Sequence, residues 1–438
     1  MDKYLKTTQD LSAFIQKSPT CYHAIRSASE IFQTHGFRKL SETAYWKLEP
    51  DGKYYVIRSD ASVIAFTLPA GKPENYQIVA SHSDSPTFKI KENEEILSDG
   101  AYVKLNVEKY GGMLCAPWFD RPLSVAGRIV AEIDGKLVTK LINIDRDLVM
   151  IPNLAIHMNR DANSGIAYSI QTDMLPIIGD ETDKGNFRAL IAENAGVDAS
   201  SILSTDLFLY SRTAPSVWGA DNQYFSSARL DDLQCAYSSV AAFVESKNSR
   251  SLNVCCIFDN EEVGSRTKQG ADSTFLEDVL ERIRNALGMS AEESQMCIAG
   301  GFMLSADNAH AVHPNHGEKA DPTNRPHMNK GIVLKYNSNQ KYTTDSVSSA
   351  VFKAICRKAD VPVQIFFNHS DVAGGSTLGN ISNSHVSINT ADIGLPQLAM
   401  HSPYETAGVK DTWYMIEAMK TFYNSTIVYD GEGTYTID

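Results

Sequence analysis

No apolar run in the 438-residue chain approaches the roughly 20 residues that a membrane-spanning helix needs. The opening Met1-Asp2-Lys3-Tyr4-Leu5-Lys6 lacks the apolar stretch of a signal peptide. Basic residues are outnumbered, 40 Lys and Arg against 53 Asp and Glu, for a net charge of -13. That balance excludes the basic face of a nucleic-acid binder, and an acidic ligand would need a local Lys or Arg to invert the field. Cysteine is sparse: seven residues, an odd number, with no tight ligand or disulfide spacing. Reduced thiols and a cytoplasmic location are expected. Repeats, low-complexity tracts and long linkers are also missing. What remains is the composition of a folded enzyme, 43% hydrophobic and 21% charged. The length argues for two domains rather than one.

The periodicity supports that division. Leu11, Phe14 and Ile15, then Ala24, Ile25, Ala28, Ile31 and Phe32, fall at helical spacing on either side of Ser18-Pro19-Thr20. Strand-like runs follow at 53–57, 62–68 and 76–80. Short alternating runs, such as 123–133 and 135–144, read as β-rich. After Phe225, helical periods (231–244, 274–287, 345–358, 409–423) alternate with apolar strands (252–258, 302–304, 363–367). Alternation of that kind implies an α/β fold with a mainly parallel sheet flanked by helices. The expected organisation is a catalytic domain in two parts, 1–91 and 227–438, around an inserted β-rich domain at 92–226 for dimerisation or as a lid.

The run Val254 to Phe258 stops abruptly in Asp259, Asn260, Glu261 and Glu262. Acids there sit at the carboxyl end of a buried strand, where open α/β sheets bind ligands. Two adjacent carboxylates repel unless one is protonated, paired or metal-bound. His82 with Asp84, Asp231, Asp307 and His401 share the same form, an apolar run or helix start meeting a His or an acid. Singly, each reads as an ordinary polar residue of a turn, a helix start or a strand end. Together they suit zinc, or manganese or cobalt, better than calcium or a thiolate site. A bridging carboxylate would hold two ions about 3.5–4 Å apart. Cys255 and Cys256, inside an apolar run, read as core filler.

Longer motifs narrow the reading: Ser18-Pro-Thr-Cys-Tyr-His-Ala24, Ser81-His-Ser-Asp-Ser-Pro86, Tyr110-Gly-Gly, Trp118-Phe-Asp-Arg121, Asn153-Leu-Ala-Ile-His157, Arg229-Leu-Asp231, Phe258-Asp-Asn-Glu-Glu-Val-Gly-Ser265, Ser305-Ala-Asp-Asn-Ala-His-Ala-Val-His-Pro314 and Gln397-Leu-Ala-Met-His-Ser402. With these the chain resembles the M18 metallo-aminopeptidases, a family that includes aspartyl aminopeptidase. The resemblance implies a zinc-exopeptidase type of fold and two zinc ions per subunit. It implies Asp231 as the bridge, His82 and Asp307 on one ion, Glu262 and His401 on the other, and Asp84 orienting His82. Glu261 would be the general base, moving a proton from the attacking water to the leaving amine. His157 would reach a neighbouring subunit's site, Lys335 would face an acidic P1 side chain, and Tyr342 and Gly374-Gly-Ser-Thr377 would line the pocket. A dimer-based homo-oligomer, up to a tetrahedral dodecamer, is implied too. His310, His313 and His316 are expected to be supporting residues, since five ligands already fill two sites. Two departures stand out: Cys21 and Asp232 replace Pro and Asn of the family pattern, and Asp232 adds a carboxylate beside the bridge.

The expected function is removal of N-terminal residues, preferably Asp or Glu, from peptides with a free N-terminus, without membrane or nucleic-acid partners. Alternatives are a neutral or broad P1 preference, a di-metal deacylase, or a scaffold that has kept a metal site.

Overall fold

A computed structural model describes residues 2–438, which divide into two compact units. The first comprises 2–84, 216–400 and 405–438, and the second 85–215 with 401–404. The division falls at Ser85 and Pro215, not at 92 and 226. Thr87–Ser98 is already a strand of the second unit's sheet, whereas Ser216–Trp218 and Tyr224–Ser227 pair into a sheet of the first. Among the described residues, no helix is long and apolar enough to cross a membrane.

A nine-stranded sheet organises the first unit. Its centre is parallel: Leu252–Phe258, Tyr76–His82, Phe302–Ala306 and Asn389–Gly394 lie side by side and run the same way. Antiparallel joins bring in Ser62–Thr67 on one side and Ile332–Tyr336 on the other. Because strand side chains alternate, each central strand feeds two cores. From Leu252–Phe258, Cys255 and Ile257 enter one core while Val254, Cys256 and Phe258 enter the other. Both cysteines are fully buried, as filler should be.

The first core is closed by helices Cys21–Thr34, Leu230–Glu245, Ser346–Lys358 and Asp411–Asn424, the second by Phe275–Ala286 and Ala291–Ala299. Local sequence sets their ends. Asp345 caps Ser346–Lys358 in a capping box, its carboxylate accepting the Ser348 N–H at 2.8 Å. Thr20 sits at the N-cap of Cys21–Thr34 but makes no capping bond; its hydroxyl meets His23 Nδ1 at 2.8 Å instead. Buried His23 can occupy that position as the neutral imidazole.

The second unit holds a six-stranded antiparallel sheet over its own apolar core, which includes Phe88, Trp118, Val125 and Leu207.

Candidate active site

His82 and Phe258 are opposite in register, each the last residue of its strand. Phe302–Ala306, on the other side of Tyr76–His82, also runs parallel to it, and Asp307 follows its last residue. Three carboxyl ends therefore open along one edge of the sheet, the place where open α/β sheets bind ligands. A fourth contribution comes from the start of Leu230–Glu245. Asp231 (φ -82°, ψ 106°) and Asp232 (φ -119°, ψ 21°) leave the helical conformation there, and the peptide between them is cis.

His82 Nε2 lies 3.3 Å from Asp231 Oδ1 and 3.9 Å from Asp307 Oδ1. Its Nδ1 is nearest the Asp84 main-chain carbonyl, at 3.1 Å, with the Asp84 carboxylate at 3.4 Å. Donation from Nδ1 to that carbonyl leaves Nε2 bare toward Asp231 and Asp307, the tautomer a metal ligand needs. The Asp84 carboxylate has partners of its own. Its oxygens accept the Glu261 and Glu262 N–H groups, each at 3.1 Å. These two glutamates form one turn of 3-10 helix between left-handed Asn260 (φ 63°) and Gly264 (φ 95°). Three residues per turn separate neighbouring side chains by about 120°, so the adjacent pair points in different directions.

The site is crowded with negative charge. Burial and then the charges of Asp307, Asp84 and Asp231 push Glu261 up to about 8, against the opposing pull of His82. Burial, then Asp231, raises Glu262 well above the carboxylate range, and burial does the same to Asp232. Burial alone would lower His82, but the carboxylates around it, Asp232 foremost, hold it well above its ordinary value. A cation relieves all of these conflicts at once.

The donors fit a divalent metal. One ligand atom from each of His82, Asp231, Asp232 and Asp307 falls within 4.8 Å of the others, and His82 with Glu261 and Glu262 meets the same limit. A His-and-carboxylate set without thiolate suits zinc or its neighbours. Asp232 Oδ1 is buried with no hydrogen-bond partner, while Oδ2 accepts the His82 N–H at 3.1 Å. Asp232 thus anchors the backbone of His82 and leaves one oxygen to spare.

Lys335 and Tyr342 adjoin this cluster. The Lys335 ammonium donates to the Asn308 carbonyl at 2.9 Å, lies 3.5 Å from Asp307 Oδ2, and sits 5.5 Å from the centre of the Tyr342 ring. The sequence did not single out a buried polar frame behind these residues. Glu405 accepts the Asp231 N–H at 3.1 Å and the Gln397 amide at 3.3 Å; Gln397 in turn accepts from Asn308 at 2.8 Å. His401 and His157 belong to the second unit. The His401 carbonyl accepts the Leu114 N–H at 3.2 Å, and a side chain on Gly112 would stand 3.9 Å from His401 Nδ1, which places Tyr110-Gly-Gly beside it. His157 is exposed, in an irregular segment with Leu154 and Met158, themselves 55% and 71% exposed. His310, His313 and His316 are exposed, and none joins a metal-capable group among the described residues.

Residues 14–423 match the family model described as Aminopeptidase I zinc metalloprotease (M18). The chain belongs to the M18 aminopeptidases. It is 46% identical over 432 residues to the probable M18 family aminopeptidase 2 of Clostridium novyi (strain NT), covering 97% of this chain and 100% of that one. To the probable M18 family aminopeptidase 2 of Ectopseudomonas mendocina (strain ymp) it is 40% identical, with 95% and 98% covered. Among solved structures, this M18 chain is similar to one in the cryo-EM structure of the Ape4 and Nbr1 complex, with a TM-score of 0.93, 36% identity and coverage of 97% and 87%. It is also similar to the S. cerevisiae mApe1 dodecamer, with a TM-score of 0.84, 27% identity and coverage of 96% and 97%. The protein is a metallo-aminopeptidase with a zinc-exopeptidase type of fold, and its buried His and Asp cluster is able to hold metal.

Proposed function

We propose that this M18 aminopeptidase is a di-zinc enzyme that removes N-terminal Asp or Glu from peptides with a free N-terminus. The observation that carries this is the shared hold of Asp84 on Glu261 and Glu262, which fixes two neighbouring carboxylates in different directions beside His82. On the family pattern, His82 and Asp307 would hold one ion and Glu262 and His401 the other, and Asp231 would serve as a ligand to both. Bound zinc supplies Lewis acidity to the scissile carbonyl and makes the attacking water more acidic.

The chain's own residues do the rest. Glu261 accepts a proton from the attacking water on its carboxylate, then gives it to the peptide nitrogen as the C–N bond breaks and the amine leaves. Lys335, the cation beside Asp307, receives the acidic P1 side chain, with Tyr342 as a wall. Exposed His157, among exposed apolar residues, is the group offered to a neighbouring subunit. That supports a homo-oligomer built from dimers, and the dodecamer of S. cerevisiae mApe1 supports twelve copies, for which a tetrahedral arrangement is proposed. All seven cysteines are free, which fits a reducing, cytoplasmic compartment.

The test is a library of Asp-, Glu-, Leu- and Ala-linked peptides with free or acetylated N-termini, assayed on zinc-reconstituted protein with metal content measured. Two zinc ions per chain, fastest release of Asp and Glu, and no cleavage of acetylated peptides are expected. Preferential cleavage of acetylated substrates would make the enzyme a deacylase and overturn the proposal.

A further inference from the structure

Asp392 is fully buried in the central strand Asn389–Gly394. Its carboxylate ties down two segments that are far apart in sequence. Oδ2 accepts the Thr343 hydroxyl at 2.6 Å and the Thr343 N–H at 2.5 Å, and Oδ1 accepts the Thr377 hydroxyl at 2.7 Å. Its own N–H donates to Thr344 Oγ1 at 2.8 Å. Thr343 directly follows Tyr342, and Thr377 ends Gly374-Gly-Ser-Thr377. A side chain on Gly379 would come within 2.9 Å of Asp392 Oδ1, so the chain after Thr377 packs directly on this carboxylate.

The neighbouring strand, Ile332–Tyr336, carries Lys335. Leu334 pairs with Ile393 across the antiparallel join, so Lys335 and Asp392 are the next residues along the two strands. Two positions beyond Asp392, Gly394 leaves room for the lysine stem: a side chain there would stand 3.0 Å from Lys335 Cε. Burial opposes the charge of the ammonium, but Asp307 first, then Tyr342 and Asp392, favour it. Asp392 therefore acts in two ways: its hydrogen bonds hold the segments on either side, and its charge offsets part of the lysine's field.

We propose that Asp392 is the positioning residue of the P1 pocket, clasping the Tyr342 and Gly374–Thr377 walls and tempering the charge that Lys335 presents to an acidic P1 side chain. This rests on the reading of Lys335 as the P1 contact. The two functions separate by substitution. Asp392→Asn keeps an acceptor for Thr343, and its amide can donate to the Thr377 hydroxyl, which rotates to accept; the clasp stays and the charge goes. Thr377→Val keeps the shape and removes one tether.

The experiment measures kcat and KM on Asp-linked and Ala-linked substrates for wild type, Asp392→Asn, Thr377→Val and Lys335→Leu, each zinc-loaded. Asp392→Asn is expected to raise the Asp-to-Ala ratio of kcat/KM several-fold, through a lower KM for the Asp substrate at unchanged kcat. Thr377→Val is expected to raise KM several-fold for both substrates without changing their ratio. An unchanged ratio in Asp392→Asn overturns the tempering of the Lys335 charge, and unchanged KM values in Thr377→Val overturn the clasp. A ratio that survives Lys335→Leu overturns the P1 reading itself. A ratio that collapses in Lys335→Leu but does not move in Asp392→Asn overturns the tempering alone.

Discussion

Glu405 holds the backbone of Asp231: its Oε2 accepts the Asp231 N–H at 3.1 Å, in a position where Glu405 is only 2% exposed. Asp231 is out of helical geometry there, so this hydrogen bond fixes a residue that the helix does not. Removing a partner from a buried donor costs about 1–3 kcal/mol. Glu405→Ala is expected to lower the melting temperature and weaken metal retention on dialysis, whereas Glu405→Gln, whose one oxygen can still accept the Asp231 N–H although its amide then faces the Gln397 donor, keeps more of both. Equal losses in the two variants, read by metal analysis and thermal melts, would show that the hydrogen bond is not what matters.

Glu261→Gln should keep its bound metal and lose turnover by roughly 10²–10⁴-fold, the usual worth of a positioned general base. Steady-state kinetics alongside metal content checks this. Near wild-type hydrolysis would remove Glu261 from the base role.

Chelation should destabilise the protein. Half-buried Glu262 and buried Asp232 carry raised pKa values because desolvation disfavours their charged forms, and a cation is what makes a charged set tolerable. A ligand at about 100 times its dissociation constant adds about 2.7 kcal/mol. The melting temperature should fall on EDTA treatment and return with zinc; a melt indifferent to both would rule out a tightly held ion.

His23 gives a pH dependence far from the metals. Burial first, then Arg26 and Arg229, lower its pKa from 6.5 to about 3. The unfolded chain therefore binds a proton that the folded chain refuses, and stability is lost as pH falls from 6.5 toward 3. The slope reaches at most about 1.4 kcal/mol per pH unit. Between pH 7.5 and 5, wild type should lose about 2 kcal/mol more than His23→Gln in urea unfolding. Parallel losses would place the proton elsewhere.

His157 can be tested without a structure of the assembly. His157→Ala and Glu261→Gln should each be nearly inactive alone. Co-expressed in one oligomer they should regain activity, because an intact His157 from one chain serves an intact Glu261 in another. Mixed oligomers as inactive as the parents would confine His157 to its own chain.

The strand ends were legible because each couples two signals, an apolar run and the acid or His that stops it. His82, Glu261, Glu262 and Asp307 all carry that signature, and the structure brings His82 and Asp307 into one metal-capable group with Asp231 and Glu261 and Glu262 into another with His82. Asp231 was legible as a helix start, but its departure from helical backbone was not, since nothing in Arg229-Leu-Asp-Asp specifies it locally. The supporting frame was harder to see. Asn389-Thr-Ala-Asp-Ile-Gly has too few apolar residues to announce a central strand, yet it pairs with Phe302–Ala306 along its length. Its usable clue was an acid between Ala391 and Ile393, both fully buried. Glu405, Gln397 and Asn308 gave no such clue, because side-chain hydrogen bonds between distant segments leave no period in the sequence.

The central strand Tyr76–His82 has a further consequence. Its neighbours, Leu252–Phe258 and Phe302–Ala306, emerge from the ribosome only after residues 85–215 of the second unit have been made. Until then the strand has neither edge covered, and His82 has no acid from either neighbour beside it. The hydrolytic centre thus comes into being only when synthesis is well past the middle of the chain. A half-made or truncated copy carries no peptidase to loose on the proteins around it, and the late, non-local closure of this sheet should also set the pace of folding.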